Sequence, residues 1–414
     1  MSNEVRPKNY KYPVALIQFM VFLKLNTSSS FRAIAKTVSA LNLYFNLEFG
    51  QPSYGTVLIW TKKVGIFSLQ PPKQKADDWV LILDESVAIG HERLLVIYGV
   101  RVSRLKFNRA LTYSDLTPLL IKASNHWTAD IIKKEIGIII KNYGNIKYVV
   151  ADGGSAIIKS IKLLSKNHVY DITHKIAWLL RNTYQNDPVF MAYSKEMTQM
   201  RFKHVCSDIA HVVPPKQRVD SRFMNLDILS DWGLKALNCL KTAKKSGKIY
   251  QRLEWVLGYE DFITELGIVN KTVDYIKTLL KTKGLSKSNL KIINKMVKNQ
   301  KDTNDSKIML LFDNIINFLK EILKQLPEEK KVLCTSDIIE SSFGKYKNYI
   351  TQNPMIGITN LSLCLAAFTN PLNPIELKNG MENTTINDLK RWSKENIGET
   401  NLSRRKRVLK INGA

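Results

Sequence analysis

Three carboxylates stand out by their settings in the chain. Asp84 closes the apolar run Trp79 to Leu83, and Asp152 follows the run Lys147 to Ala151. Both runs read as buried strands, so the two acids should meet at one edge of a sheet, where open α/β folds place their function. The plainer reading of each is a turn-capping aspartate. The third acid, Glu340, lies in a helical pattern that starts near Thr335. Ile338, Ile339 and Phe343 flank it, and a carboxylate on an apolar helix is costly unless it is paired or metal-bound. The competing reading is an exposed glutamate that pairs with Lys345 or Lys347. Together the three acids would suit hard divalent cations: two Mg2+ ions about 4 Å apart, with Mn2+ as a substitute.

The elements that must hold them follow from periodicity. Trp79 to Leu83 and Leu94 to Val102 predict two strands, with Gly90 and His91 in the turn between them and Phe107 to Thr112 as a third. Asn125 to Asn142 has helical spacing and ends at Gly144. A fourth strand ends at Asp152-Gly153-Gly154, where Ser155 caps a helix to Leu164. His168 to Ile172 makes a fifth strand, and a helix starts near Thr173. The expected fold is a mixed α/β sheet with helices packed on it.

Before this sheet, three helical patterns cover about Tyr12 to Gly65. The last starts near Ser53 and turns Val57, Leu58 and Trp60 inward, leaving Tyr54, Thr56, Thr61, Lys62 and Lys63 to face out. This is the pattern of a helix-turn-helix unit whose last helix enters a major groove. Pro71, Pro72, Lys73, Gln74 and Lys75 read as the linker that follows. Between about Tyr184 and Pro327 the strand signal disappears and amphipathic helical segments recur. The densely basic stretch Lys281 to Lys301 is either a solvated helix face or a DNA-facing one. Trp232 and Trp255 in this region read as core packing ahead of base stacking. The expected domains are therefore 1–72, 76–184, 185–328, 329–372 with Glu340, and a basic tail 373–414.

Charge points to the partner. Lys and Arg number 62 against 36 Asp and Glu, a net +26 that exceeds what solubility needs and implies a polyanion. Four cysteines, Cys206, Cys239, Cys334 and Cys364, have no paired spacing for zinc or disulfides, which suits a reducing cytoplasm. Val14 to Leu25 is too short and too polar for a bilayer span, so no membrane is expected.

In WVLILDES, YVVADGGS, DITHKIAWLL and SDIIESSFGKYK the chain resembles the DDE transposases of bacterial insertion sequences. The resemblance covers most of its length. It implies an RNase H-like core with an all-helical insertion before the final glutamate, and Asp84, Asp152 and Glu340 as catalytic metal ligands. It implies metal-dependent cleavage of DNA at terminal inverted repeats and strand transfer into target DNA. It also implies a homodimer that pairs two ends and works beside the nucleoid. Asp171 and His174 match the C/DxxH signature of hAT-like and Mutator-like enzymes, where the pair helps to organise the site. As plain chemistry they read equally as a capping aspartate and a buried histidine. Lys347 matches the lysine seven positions after the glutamate in some cut-and-paste relatives, where a cation grips phosphate. Leu333 and Ser336 stand where those relatives carry Tyr and Arg, a departure that weakens any hairpin route. The alternatives are a nuclease or resolvase of the same fold and a domesticated DNA-binding protein that no longer cuts.

Overall fold

Five strands order as β3-β2-β1-β4-β5 in one sheet: β1 (Trp79–Val87), β2 (Arg93–Arg101), β3 (Thr117–Ser124), β4 (Ile146–Ala151) and β5 (Asn167–Tyr170). The first three form an antiparallel meander, and β4 runs parallel to β1. The computed structural model describes residues 5–46, 49–70, 75–87, 92–217, 222–299, 306–350 and 357–411. The expected turn at Gly90 and His91 and the linker residues Pro71 to Gln74 lie outside them. The strand order, the antiparallel meander and the parallel pairing of β1 with β4 are those of an RNase H-like sheet, as expected.

Two strand expectations need correction. Phe107 to Thr112 is not a strand; β3 begins at Thr117 instead. Asp84 does not end its strand, because β1 continues to Val87 along β2. Only its parallel pairing with β4 stops there, at Leu83 opposite Ala151.

Alternation sends the side chains of Leu81, Leu83, Leu95, Ile97, Val149 and Ala151 to one face. There they pack against Ile132, Ile136 and Ile139 of α4 (Ala129–Tyr143) and Ile157 and Ile161 of α5 (Ser155–Leu163). Gly144 (φ +104°) ends α4, where a Cβ would collide with the Ala76 backbone. Gly154, and not Ser155, holds the cap position of α5.

Three helices precede the sheet: α1 (Val14–Asn26), α2 (Phe31–Phe45) and α3 (Tyr54–Ser68). Ser30 and Ser53 cap the second and third by accepting from Ala33 N and Thr56 N, both at 3.1 Å. The last part of the chain is helical too: α13 (Asp337–Ile350), as the pattern from Thr335 predicts, α14 (Leu363–Ala367), and, within 373–414 where a basic tail is expected, α15 (Pro374–Asn383), α16 (Ile386–Asn396) and α17 (Asn401–Ile411). The opposite sheet face carries Val80, Ile82, Val96, Tyr98, Tyr148 and Val150, all buried. On that side α13 packs against β1, and α14 and α16 against β3. α3 in turn packs on α14, α15 and α16. Residues 1–106, 111–169 and 336–414 form one compact unit.

Residues 107–110 and 170–335 form a second unit; among its described residues the regular structure is helical apart from Tyr170 at the end of β5 and a bridge between Leu285 and Val332. Its helices are α6 (Ile172–Tyr184), α7 (Pro188–His204), α8 (Leu226–Thr242), α9 (Lys248–Leu253), α10 (Glu260–Lys283), α11 (Lys287–Asn299) and α12 (Ser306–Gln325). Trp232 and Trp255 stack at 6.1 Å, and Trp255 and Phe262 both pack on the buried Tyr193. The two tryptophans are half-buried and pack on other aromatic rings, in line with the packing reading of them. Among the described residues no helix is long and apolar enough to cross a membrane.

Candidate active site

The site is built where β1 and β4 part. Their parallel register pairs Ile82 with Val150 and Leu83 with Ala151, so the next rung would set Asp84 against Asp152. On alternation Asp84 shares the face of Ile82, the side on which α13 packs. Each aspartate is half-buried and locally tethered. Asp84 Oδ1 accepts from Glu85 N at 2.7 Å, and Asp152 Oδ1 accepts from Gly154 N at 3.0 Å. A Cβ on Gly154 would lie 3.2 Å from that Asp152 oxygen and 3.3 Å from Ile157 Cδ1. The glycine thus leaves the carboxylate room to fold back on its own turn.

Two further titratable groups border Asp152, and neither was singled out by the sequence. Burial raises the carboxyl pKa of Glu85 above the usual range; Arg93, 3.2 Å away, opposes this and the Asp152 charge adds to it. His168 lies on β5 with Nε2 3.3 Å from the Ala151 carbonyl. Burial pushes its pKa below the ordinary imidazole value, against the pull of the Ala151 and Asp152 backbone and of the Asp152 charge. The signals for them were an acid doublet inside ILDES and a histidine in a short strand. Neither is informative until β4 is known to lie between β1 and β5.

Glu340 arrives from α13, whose buried face is Ile339, Ser342, Phe343 and Tyr346. Ser342 donates to the Ile338 carbonyl at 2.9 Å beside the buried Tyr98 phenol, which donates to the Leu365 carbonyl at 3.0 Å. Tyr98 pairs with Ile82, two residues before Asp84. Helix geometry turns Glu340 about 110° from the centre of the buried face, so it is half-buried at the flank. Lys347 is exposed, about 20° from the direction of Glu340 and two turns along. The Lys345 ammonium lies over the Tyr113 ring at 4.4 Å.

Among the described residues no three His, Cys, Asp and Glu side chains are close enough together to hold a metal ion. Asp84 and Asp152 follow the last paired residues of β1 and β4, and α13, which carries Glu340, packs on β1. The paired aspartates alone offer the oxygen donors that a hard divalent cation prefers.

In the helical unit Asp171 is fully buried and accepts from His174 N at 2.9 Å, capping α6. The geometry of this pair is thus that of an N-cap.

The groove-reading face expected of α3 is also corrected. Thr61 and Lys63 are buried. Lys63 Nζ donates to Tyr10 Oη at 2.6 Å and to the Met381 carbonyl at 3.3 Å. Lys62 and Thr56 are half-buried, and burial lowers the Lys62 pKa. Of the five residues only Tyr54 is exposed, with the Arg32 guanidinium 5.1 Å from its ring centre. The cause is long-range: α14, α15 and α16 cover the side of α3 that local periodicity left open.

No protein-family model matches the chain, and no curated protein matches it. Among solved structures, the Drosophila P element transposase strand transfer complex overlaps 87% of this chain and 92% of that one, at 12% identity and a TM-score of 0.44. A likeness at that level bears no weight, and the functional reading rests on the residues of the site.

Proposed function

We propose that this protein is a DNA transposase that breaks and rejoins phosphodiester bonds at element ends, with Asp84, Asp152 and Glu340 as its catalytic acids. The reading is supported above all by the β1/β4 register, which ends at Leu83 opposite Ala151, one residue before Asp84 and Asp152, and by the packing of α13, which carries Glu340, against β1. The four motifs that resemble the DDE enzymes and the net charge of +26 agree with it.

Asp84 and Asp152 would hold the divalent cation, Mg2+ or Mn2+, which when bound lowers the pKa of an attacking water or 3′-hydroxyl. The Gly154 turn orients the Asp152 carboxylate. His168, kept neutral by burial, adds no positive charge beside it at pH 7. Lys347, two turns beyond Glu340, is placed to meet a phosphate of the strand being cut. Two protomers would pair the two ends.

A second reading, a DNA-binding protein that no longer cuts, is favoured by one observation: the three acids do not form a metal-holding group. The test uses the full-length chain and supercoiled DNA that carries the element ends plus a target duplex, with Mg2+ or Mn2+. Cleaved ends and joined products are expected from wild type, and background levels from Asp84→Asn, Asp152→Asn and Glu340→Gln. Cleavage without joining would assign a nuclease or resolvase. Wild-type cutting by Asp152→Asn would sink the site, and inactivity of wild type with intact end binding would favour the non-cutting reading.

A further inference from the structure

α11 carries Lys287, Lys291, Lys295 and Lys298, and all four are exposed. At 100° per residue they fall within a stripe about 80° wide and about 16 Å long. The buried residues Asn289, Ile293 and Val297 lie on the far side of the helix, so packing fixes which way the stripe faces.

The stripe is free of opposing charge in a way its neighbours are not. α11 contains no acid, whereas α10 carries Glu260, Asp261, Glu265 and Asp274, and α12 carries Asp313 and Glu321. Other lysines of the unit are neutralised: Lys307 by Asp187 at 2.9 Å and Lys248 by Asp208 at 3.0 Å. Among the described residues none of the four stripe lysines forms an ion pair. Glu328 and Glu329 border only the Lys287 end, where Lys330 accompanies them.

Four unneutralised ammonium groups in a row repel one another unless a polyanion lies along them. Duplex DNA presents one charge per about 1.7 Å of axis, so a stripe of this length spans on the order of ten phosphate charges. We infer that the Lys287, Lys291, Lys295 and Lys298 face of α11 is a docking rail for the phosphate backbone of duplex DNA. It contacts no base edge and so adds affinity without sequence preference. This assignment rests on the reading of the protein as a DNA-processing one, but its test needs no cutting.

The experiment measures binding of the full-length chain to a labelled random-sequence duplex by fluorescence anisotropy, in EDTA, from 50 to 200 mM salt. The stripe variant changes all four lysines to Gln. A control variant changes Lys235, Lys241, Lys244 and Lys245, also exposed and in the same unit, to Gln.

Four lost phosphate contacts should lower the salt slope by about 3.6, so wild type should lose roughly 150-fold more affinity over this range than the stripe variant. The control should keep most of the wild-type slope, and the four-fold Lys→Arg variant should keep all of it. An unchanged slope in the stripe variant would overturn the rail, as would an equal fall in the control. Loss of slope in the Lys→Arg variant would also overturn it, because the effect would then not be one of charge. Stripe-dependent binding to phosphatidylserine vesicles with stripe-independent DNA binding would reassign the surface to membranes. Failure of the cleavage assay would leave this result untouched.

Discussion

Gly65→Ala tests whether α3 is held inside the sheet-bearing unit or is free to read DNA. The Gly65 Cα faces α14 so closely that an added Cβ would run into the Leu363 carbonyl oxygen and sit 2.9 Å from both Leu363 C and Cβ. Backbone atoms cannot swing aside, so α3 must back away from α14 by a sizeable fraction of an ångström. Overpacking of this kind costs about 1–3 kcal/mol and sometimes more. Ala also gains up to about 1 kcal/mol over Gly inside a helix, so a net loss of about 1–2 kcal/mol is expected. Gly137→Ala in α4 supplies the contrast, because nothing lies within 4 Å of its Cβ position; it should gain about 0.8 kcal/mol. Urea titration followed by hydrogen exchange of the α3 and α14 peptides would separate the two, with protection falling in both helices for Gly65→Ala. If Gly65→Ala unfolded at the wild-type midpoint with unchanged exchange, α3 would not rest on α14 in solution, and its exclusion as a groove reader would collapse.

Two further outcomes are expected. Burial lifts the Tyr143 phenol from 10.0 to about 12, so its contribution is fully present below pH 10 and is lost as the pH rises through 12. That is about 2–3 kcal/mol in all, of which roughly 1.7 kcal/mol is lost between pH 9.5 and 11.5, and Tyr143→Phe should flatten the alkaline fall in urea-derived stability over that interval by about 1.7 kcal/mol; parallel curves would refute it. Gly154→Ala should crowd the Asp152 carboxylate and lower cleavage at least tenfold, with stability within about 1 kcal/mol of wild type; full activity would mean that this turn does not set the carboxylate.

What could be read in advance was whatever local pattern controls. β1, β2 and β4 are buried on both faces and appear as apolar runs, and the serines that cap α2 and α3 announce those helices. β3 escaped because it is an edge strand with Pro118 near its start and a register shift opposite Ile97 and Tyr98. Edge positions tolerate proline and weaken the strand signal. The helices after residue 373 looked like a tail because 374–411 is highly polar, while the few apolar groups it buries, such as Leu377, Met381 and Leu389, find their partners across the whole chain. The same contacts buried Thr61 and Lys63, which no reading of α3 alone could foresee. In the site, Asp152 was visible as an acid after a strand, whereas Asp84 lies inside β1 and stands only where the pairing with β4 stops. Glu85 and His168 acquire their meaning only from strand neighbours, and the orientation of Glu340 is set by Ser342 and Tyr98, far apart in sequence.

The interleaved make-up of the sheet-bearing unit has a consequence during synthesis. Gly65 emerges from the ribosome nearly three hundred residues before Leu363, its packing partner, which at ordinary translation speeds is a wait of roughly 15 to 60 s. Until then the nascent chain exposes an oily helix surface and one bare side of its sheet, and the acid of α13 has yet to be made. A message truncated inside residues 170–335 would therefore yield a sticky fragment for proteases and chaperones to clear, because the helices that cover α3 and the second side of the sheet would never be made.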